Sequence, residues 1–284
     1  MIKAIITDID GVMVGNKHKV NFPLPNGLVI EKLKALHKKG FPIVLCTPKS
    51  QSGVLELVAK ADLHNPHITD GGALIIDPLD NKIIKKHILD KQLVESIVKT
   101  CLENNIYMEC CGMEDYYVQK DQVFELTEKH ALVMQKEPQL VSSLEKNVDD
   151  KEIIKIEAFA KDRDDMQRLN SLLKKFENDV HIIWTIHPKI LPFQICIITV
   201  NGVSKKTASL EVLEFLKVSA DETLGIGDTL GDWKFMEICK YAATVGNESK
   251  ELKDQVQKKG EGNYFYSSSV DENGILDIFE YFKL

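Results

Sequence analysis

The sequence has 284 residues, 44% hydrophobic and 28% charged, enough to bury a sizeable core and to form one domain plus a second or an insert. A formal charge of −7 at pH 7 and a pI near 5.7 argue against a nucleic-acid-binding surface, and Arg163 and Arg168 are the only arginines for bidentate phosphate clamping. No cationic leader with an apolar core follows Met1, no apolar run nears the roughly 20 residues that span a bilayer, and the six cysteines lack C-x-x-C spacing, so a cytoplasmic protein with reduced thiols is expected.

The chain opens on Ile5-Ile6-Thr7-Asp8-Ile9-Asp10-Gly11-Val12, an apolar run that reads as a buried strand ending in a glycine. Residues two apart on extended chain point the same way, so Asp8 and Asp10 flank one small volume. Two facing carboxylates repel unless a cation or a shared proton lies between them. The stretch is therefore a metal and phosphoryl-transfer site or a solvated strand end. A polar loop, His18 to Pro25, leads to a helical pattern at Leu28, Ile30, Leu33 and Leu36 that stops at Gly40. A second strand, Phe41 to Cys46, runs into Thr47-Pro48-Lys49-Ser50; a helix from about Ser52 to Ala61 and a strand at Ile68 ending in Asp70-Gly71-Gly72 follow. This alternation predicts a parallel sheet with crossover helices, whose ligands gather at the carboxyl ends of the strands, where Asp8, Asp10 and Thr47 stand.

From residue 73 the texture changes. Ala73 to Asp77 and Ile83 to His87 flank a turn at Pro78-Leu79-Asp80-Asn81 and predict a hairpin. Beyond it the pattern predicts a helix near 90–104, short strands near 106–119, helices over 121–146, a strand at Ile153 to Phe159, a helix at 163–176 and a strand at His181 to Ile186. Residues 85–190 thus read as an α+β insert whose exit carries Pro188 and Pro192. Residues 1–84 and 191–284 make the core, with doubly wound order resuming at the apolar run Gln194 to Val200. Ser204 opens a helix, Thr223 to Gly227 is a strand, and Asp228-Thr229-Leu230-Gly231-Asp232 is its exit loop; a short helix from Trp233, a strand at Ala242 to Val245, a helix after Asn247 and a last helix near 274–282 complete the core. Asp232 suits either a helix cap or a metal site. Gly225-Ile226-Gly227 imitates a dinucleotide loop, but Gly231 falls one place late for G-x-G-x-x-G.

Asp8-x-Asp10-Gly11-Val12, Thr47 after the second strand, Lys205 opening a later helix, and Gly227-Asp228-x-x-x-Asp232 resemble, in order, the four motifs of the haloacid dehalogenase-like superfamily. The insert between the second and third motifs, with Gly71-Gly72-Ala73 before it and Val245-Gly246-Asn247 near the end, is similar to the Cof-type branch (subfamily IIB) with a C2 cap. The resemblance implies a Rossmann-like α/β core, a Mg²⁺ cofactor, a small phosphorylated metabolite as partner, and neither nucleic acid nor membrane. It implies that Asp8 is the nucleophile that becomes an aspartyl phosphate and Asp10 the general acid and base. Metal ligands would be Asp8, the backbone carbonyl of Asp10, Asp228 and Asp232. Gly11, Thr47, Pro48, Lys49, Lys205 and Asn247 would surround the phosphoryl group, with Lys205 supplying charge and Lys206 as its alternative.

Thr47-Pro48-Lys49 departs from the Thr-Gly-Arg usual in Cof-type sugar phosphatases and is similar to the mannosyl-3-phosphoglycerate phosphatase subgroup. Gly231 stands where asparagine is usual, and Lys206 where glycine is. A phosphatase for a sugar phosphate or a mannosyl- or glucosyl-3-phosphoglycerate is the expected function; a phosphomutase of the same branch and a non-catalytic phospho-acceptor module are the alternatives. Trp184, His181, His187, Arg163 and Arg168 in the insert fit packing or surface as well as substrate selection.

Overall fold

The computed structural model describes residues 1–246 and 249–284, so Asn247 lies outside the described residues. In chain order it holds β1 (Ala4–Thr7), α1 (Gly27–Lys38), β2 (Ile43–Leu45), α2 (Gln51–Ala61), β3 (His67–Thr69), β4 (Leu74–Asp77) and β5 (Lys82–Lys86). Then come α3 (Lys91–Glu103), β6 (Met108–Cys111), β7 (Tyr116–Gln119), α4 (Glu125–Met134), β8 (Gln139–Val141), α5 (Leu144–Asn147), β9 (Lys155–Ala160), α6 (Arg163–Leu173), β10 (Val180–Ile186) and β11 (Gln194–Val200). The chain closes with α7 (Lys205–Leu216), β12 (Thr223–Ile226), α8 (Leu230–Met236), β13 (Tyr241–Thr244), α9 (Lys250–Gln257), β14 (Tyr264–Tyr266) and α10 (Ile275–Tyr281). No helix among the described residues is long and apolar enough to cross a membrane.

Two units form. The first comprises Met1–Pro48, Val54–Ile84 and Lys205–Leu284, and the second Lys49–Gly53 and Lys85–Ser204. The first unit is built on a parallel sheet in the order β14-β13-β12-β1-β2. The sequence of β1 explains its interior place. Its side chains alternate between two apolar layers, Ile5 joining Val29, Leu33 and Leu36 of α1 and Ile278 of α10, while Ile6 joins Val212 of α7 and Phe235 of α8. A strand apolar on both faces needs helices on both, which is the doubly wound arrangement. The antiparallel strands β3, β4 and β5 make a small second sheet, and the bridge from Cys46 to Ile68 ties β3 to the end of β2.

Gly225 and Gly227 serve packing. A Cβ on Gly225 would lie 3.0 Å from the backbone Cα of Met236, and one on Gly227 would lie 2.3 Å from Cβ of Asp232. Bare backbone at both positions lets α8 lie directly against β12, so the Gly-Ile-Gly run reflects helix–strand approach rather than a nucleotide loop.

The second unit carries a sheet in the order β10-β11-β9-β6-β7-β8, antiparallel apart from the β7–β8 pair. Helices α3 and α6 cover one face through Ile97, Val98, Leu169 and Leu173, and α4 covers the other through Leu126, Val133 and Met134. Two expectations are corrected here. The run Gln194 to Val200 does not rejoin the core at residue 191, since β11 pairs with β9 and β10 and the second unit continues to Ser204. Cys196 and Ile198 face one apolar layer and Ile195 and Ile197 the other, so the run is apolar on both sides for the same reason a core strand is, and periodicity cannot say which sheet owns it. The helical stretch expected over 121–146 is interrupted by β8. Gln135 takes a left-handed φ of 53° and Pro138, which lacks an amide donor, follows it, so the helix stops and the chain re-enters the sheet beside β7.

The close approach of α8 makes position 225 intolerant of bulk. Gly225→Val is expected to lower stability by about 1–3 kcal/mol in urea unfolding, the usual cost of overpacking. Gly27→Ala, at the start of α1 with nothing within 4 Å of the added Cβ, is expected to be neutral or stabilising by up to about 1 kcal/mol.

Candidate active site

The parallel order of the first unit brings the carboxyl ends of β1, β2 and β12 to one edge, and the residues just beyond them meet there. The Asp8 amide donates to Ile226 O (2.9 Å) and the Cys46 amide to Thr7 O (2.8 Å), so the chain ends are held in register up to the point where they diverge. Thr47, wholly buried, donates its amide to Ile68 O and accepts one from Gly71. Asp10 sits half-buried in the turn after Asp8, where the Gly11 amide donates to Val14 O (2.8 Å).

Carboxylate oxygens of Asp8, Asp228 and Asp232 lie within 4.8 Å of one another. One ammonium faces them. Lys205 Nζ, on the first residue of α7, is 3.1 Å from Asp8 Oδ1 and 2.6 Å from Asp232 Oδ1, above the ring of Phe235. Lys206 points elsewhere and pairs with Glu237 at 2.6 Å on the surface, so Lys205 is the lysine of the site. Burial, and then the charge of Asp232, push the Asp8 carboxyl up to about 7 against the pull of Lys205. Burial followed by Asp232 and Asp8 pushes Asp228 up to about 8. Burial would lower the Lys205 ammonium, but Asp232 and Asp8 outweigh it and hold it well above the usual lysine range. The cluster is short of positive charge. Its Asp8 Oδ1 is buried and, beyond its ion pair, accepts no hydrogen bond among the described residues.

Each carboxylate is held differently. Gly11 has φ +78°, and a Cβ there would fall 1.9 Å from Asp228 Oδ2. Glycine thus supplies both the left-handed turn and the space in which Asp228 rests against the backbone. Asp232 is fully engaged: Oδ1 accepts from Lys205, and Oδ2 accepts from Thr229 Oγ1 (2.7 Å), the Thr229 amide (3.1 Å) and the Asp228 amide (3.3 Å). It is the third residue of α8, in a capping box with Thr229 as the N-cap. The two readings of Asp232 therefore merge, since it closes the helix start and also orients Lys205. Thr229 was not singled out from the sequence, although Thr-x-x-Asp before a helix is itself a capping signature.

Lys49 is buried but belongs to the second unit, while Pro48 ends the first segment of the first unit. In the second unit Trp184 donates to Asn170 Oδ1 (3.0 Å), Arg168 donates to Asn104 O and pairs with Asp165, and His187 accepts from the Lys189 amide; Arg163 is exposed.

The profile of the haloacid dehalogenase-like hydrolases matches residues 5–279. A haloacid dehalogenase-like hydrolase from Bacteroides thetaiotaomicron superposes with a TM-score of 0.83 at 15% identity, covering 99% of each chain. A sugar phosphatase of subclass IIB of that superfamily superposes with a TM-score of 0.78 at 20% identity, also covering 99% of each chain. A candidate phosphatase of Haemophilus influenzae is 27% identical over 121 residues, so the match spans 42% of this chain and 42% of that relative. With a family match running almost from end to end over a doubly wound sheet and an inserted α+β unit, the chain belongs to the haloacid dehalogenase-like hydrolases.

Proposed function

We propose that the protein is a Mg²⁺-dependent phosphatase that hydrolyses a small phosphorylated metabolite through an aspartyl phosphate on Asp8. The observation that carries this reading is the buried Asp8 carboxylate, paired with Lys205 at 3.1 Å and crowded by Asp228 and Asp232. A carboxylate attacks a phosphate dianion only where its charge and the substrate's are both offset. The residues fit a divalent cation. The donors are hard carboxylate oxygens, the cluster has excess negative charge, and Asp8 Oδ1 lacks a hydrogen bond. Asp8, Asp228 and the backbone carbonyl of Asp10 would hold it, with Asp232 contributing charge, and it would neutralise the reacting oxygens. Burial of Asp8 and its pairing with Lys205 hold the attacking carboxylate in place.

In the first half-reaction an Asp8 oxygen bonds to phosphorus as the bond to the leaving oxygen breaks, and Asp10 gives that oxygen its proton. In the second, Asp10 takes a proton from water, the water oxygen bonds to phosphorus, and the Asp8–phosphorus bond breaks to restore the carboxylate. Lys205, fixed by Asp232, faces the charge that grows on Asp8 and on the phosphoryl oxygens. Thr47 stands at the neighbouring strand end, where its hydroxyl would position those oxygens. A sugar phosphate, or a mannosyl- or glucosyl-3-phosphoglycerate, is the proposed substrate class. The Thr47-Pro48-Lys49 sequence and the sugar phosphatase of like fold support it.

A hydrolysis panel with Mg²⁺, spanning hexose phosphates and both phosphoglycerate glycosides, tests this reading. Asp8→Asn should fall to background and Asp10→Asn by about 10²–10⁴-fold; equal rates for wild type and Asp8→Asn would sink the enzymatic reading. Turnover of hexose phosphates alone would remove only the glycoside assignment. Lys205→Ala should lose about 10²–10³-fold in kcat, whereas Lys206→Ala should stay within about twofold. The raised carboxyls of Asp8 and Asp228 also fix a sign. A carboxyl that holds its proton more tightly folded than unfolded stabilises most at low pH, and that contribution is lost as pH rises from the ordinary carboxylate range through about 7 and about 8. Metal-free protein should therefore gain urea resistance as pH falls from about 8.5 to 5.5, and Mg²⁺ or Asp228→Asn should flatten that dependence.

A further inference from the structure

The second unit contains another buried ionic cluster, on the face of its sheet that α4 covers. Glu109 of β6 and Glu157 of β9 are direct cross-strand partners, and they are 0% and 3% exposed. Like charges placed opposite each other in a sheet destabilise it, and buried ones cost far more. Two cations reach them. Lys155, itself 0% exposed, places Nζ 3.0 Å from Glu157 Oε1. His130 of α4 places Nδ1 2.8 Å from Glu109 Oε2 and Nε2 3.8 Å from Glu157 Oε2. Tyr107 donates to Glu109 Oε1 (2.7 Å), and the Cys111 thiol faces Glu157 Oε2 at 3.9 Å.

We propose that this cluster is a proton-dependent clamp, in which His130 as imidazolium fastens α4 onto the sheet and takes the position a metal ion would occupy between the two glutamates. The donor set, two carboxylates and an imidazole with atoms within 4.8 Å, is one that metals use. Every carboxylate oxygen, however, already faces a hydroxyl, thiol, ammonium or imidazole. The charges close only with the proton present: two glutamates against one lysine leave a buried negative charge that protonated His130 cancels. The rings of Phe159 (5.1 Å) and Tyr116 (6.4 Å) meet the imidazole edge-on, on the face of the sheet that also carries the buried Ile195 and Ile197. Tyr116 turns its hydroxyl to Lys136 O. Burial would pull the imidazolium down, but the charge and hydrogen bond of Glu109, then Glu157, outweigh burial and Lys155 and raise it. The clamp is therefore complete below the ordinary histidine range and is released as pH rises through the higher value of the folded state. In that interval the folding constant falls about tenfold per pH unit.

Ring-nitrogen NMR of the full chain, labelled on histidine and titrated from about pH 5 to 9, tests the clamp without any substitution. One histidine should keep both ring N–H groups to a higher pH than an ordinary histidine does, and the protection factors of α4 amides should fall as it deprotonates while those of α7 amides do not change. His67, buried and pushed down to about 3, supplies the opposite reference, neutral throughout. Glu109→Gln should return the anomalous signal to the ordinary range. The proposal is overturned if no histidine keeps both ring N–H groups above the ordinary histidine range. It is also overturned if one equivalent of a transition metal survives dialysis of the wild type and is lost in Glu109→Gln.

Discussion

Three carboxylates sharing one ammonium set the terms for the first unit. Lys205 neutralises part of the charge of Asp8 and Asp232, and Asp228 completes an excess that burial makes expensive. A fold bears such a cluster only if the backbone around it is rigid. The rigidity comes from parallel strand ends in register and from Asp232, whose two oxygens bind the start of α8 on one side and Lys205 on the other. Glycine supplies the space. Gly11 lets Asp228 approach within a distance no side chain would permit, and Gly227 does the same for Asp232. The motif glycines and the motif aspartates are thus one packing solution.

That coupling explains what the sequence made legible. Asp8, Thr47 and Asp228 each follow an apolar strand at the same edge, so strand assignment brings them together, whereas Lys205 joins them through its resemblance to the third family motif. Lys205 and Lys206 could not be separated by spacing, because adjacent helix positions differ only in the direction they face; Asp8 on one side and Glu237 on the other decide it. Asp232 was readable as a cap or as a site residue, and only the four contacts on its carboxylate reveal both. Thr229 had a local signature but no charge to draw attention to it.

The second unit was less legible for a physical reason. Its sheet is covered on both faces, so β11 carries the same unbroken apolar pattern as a core strand, and ownership depends on long-range pairing with β9 and β10. The strand β8 hid between two helical patterns because three residues carry little periodicity, although Pro138 marked the break. The cross-strand facing of Glu109 and Glu157 was invisible for the same reason. Register, not composition, makes them neighbours.

The two ionic clusters solve one electrostatic problem in opposite ways. In the second unit two anions meet two internal cations once His130 is protonated, every carboxylate oxygen has a protein partner, and aromatic and branched side chains seal the group. In the first unit Lys205 pairs with Asp8 and Asp232 while Asp228 adds its charge, and among the described residues Asp8 Oδ1 accepts no hydrogen bond beyond that ion pair. A closed charge balance suits packing, because nothing further needs to bind for the fold to be stable. An open one suits chemistry, and in the proposed function a divalent cation would supply the further positive charge. Burying the cluster raises the Asp8 and Asp228 carboxyls against the pull of Lys205, and the same burial strengthens every charge interaction made there. On the proposed reading, stability forgone at the edge of the parallel sheet is the source of the affinity and of the nucleophile that hydrolysis at Asp8 would require.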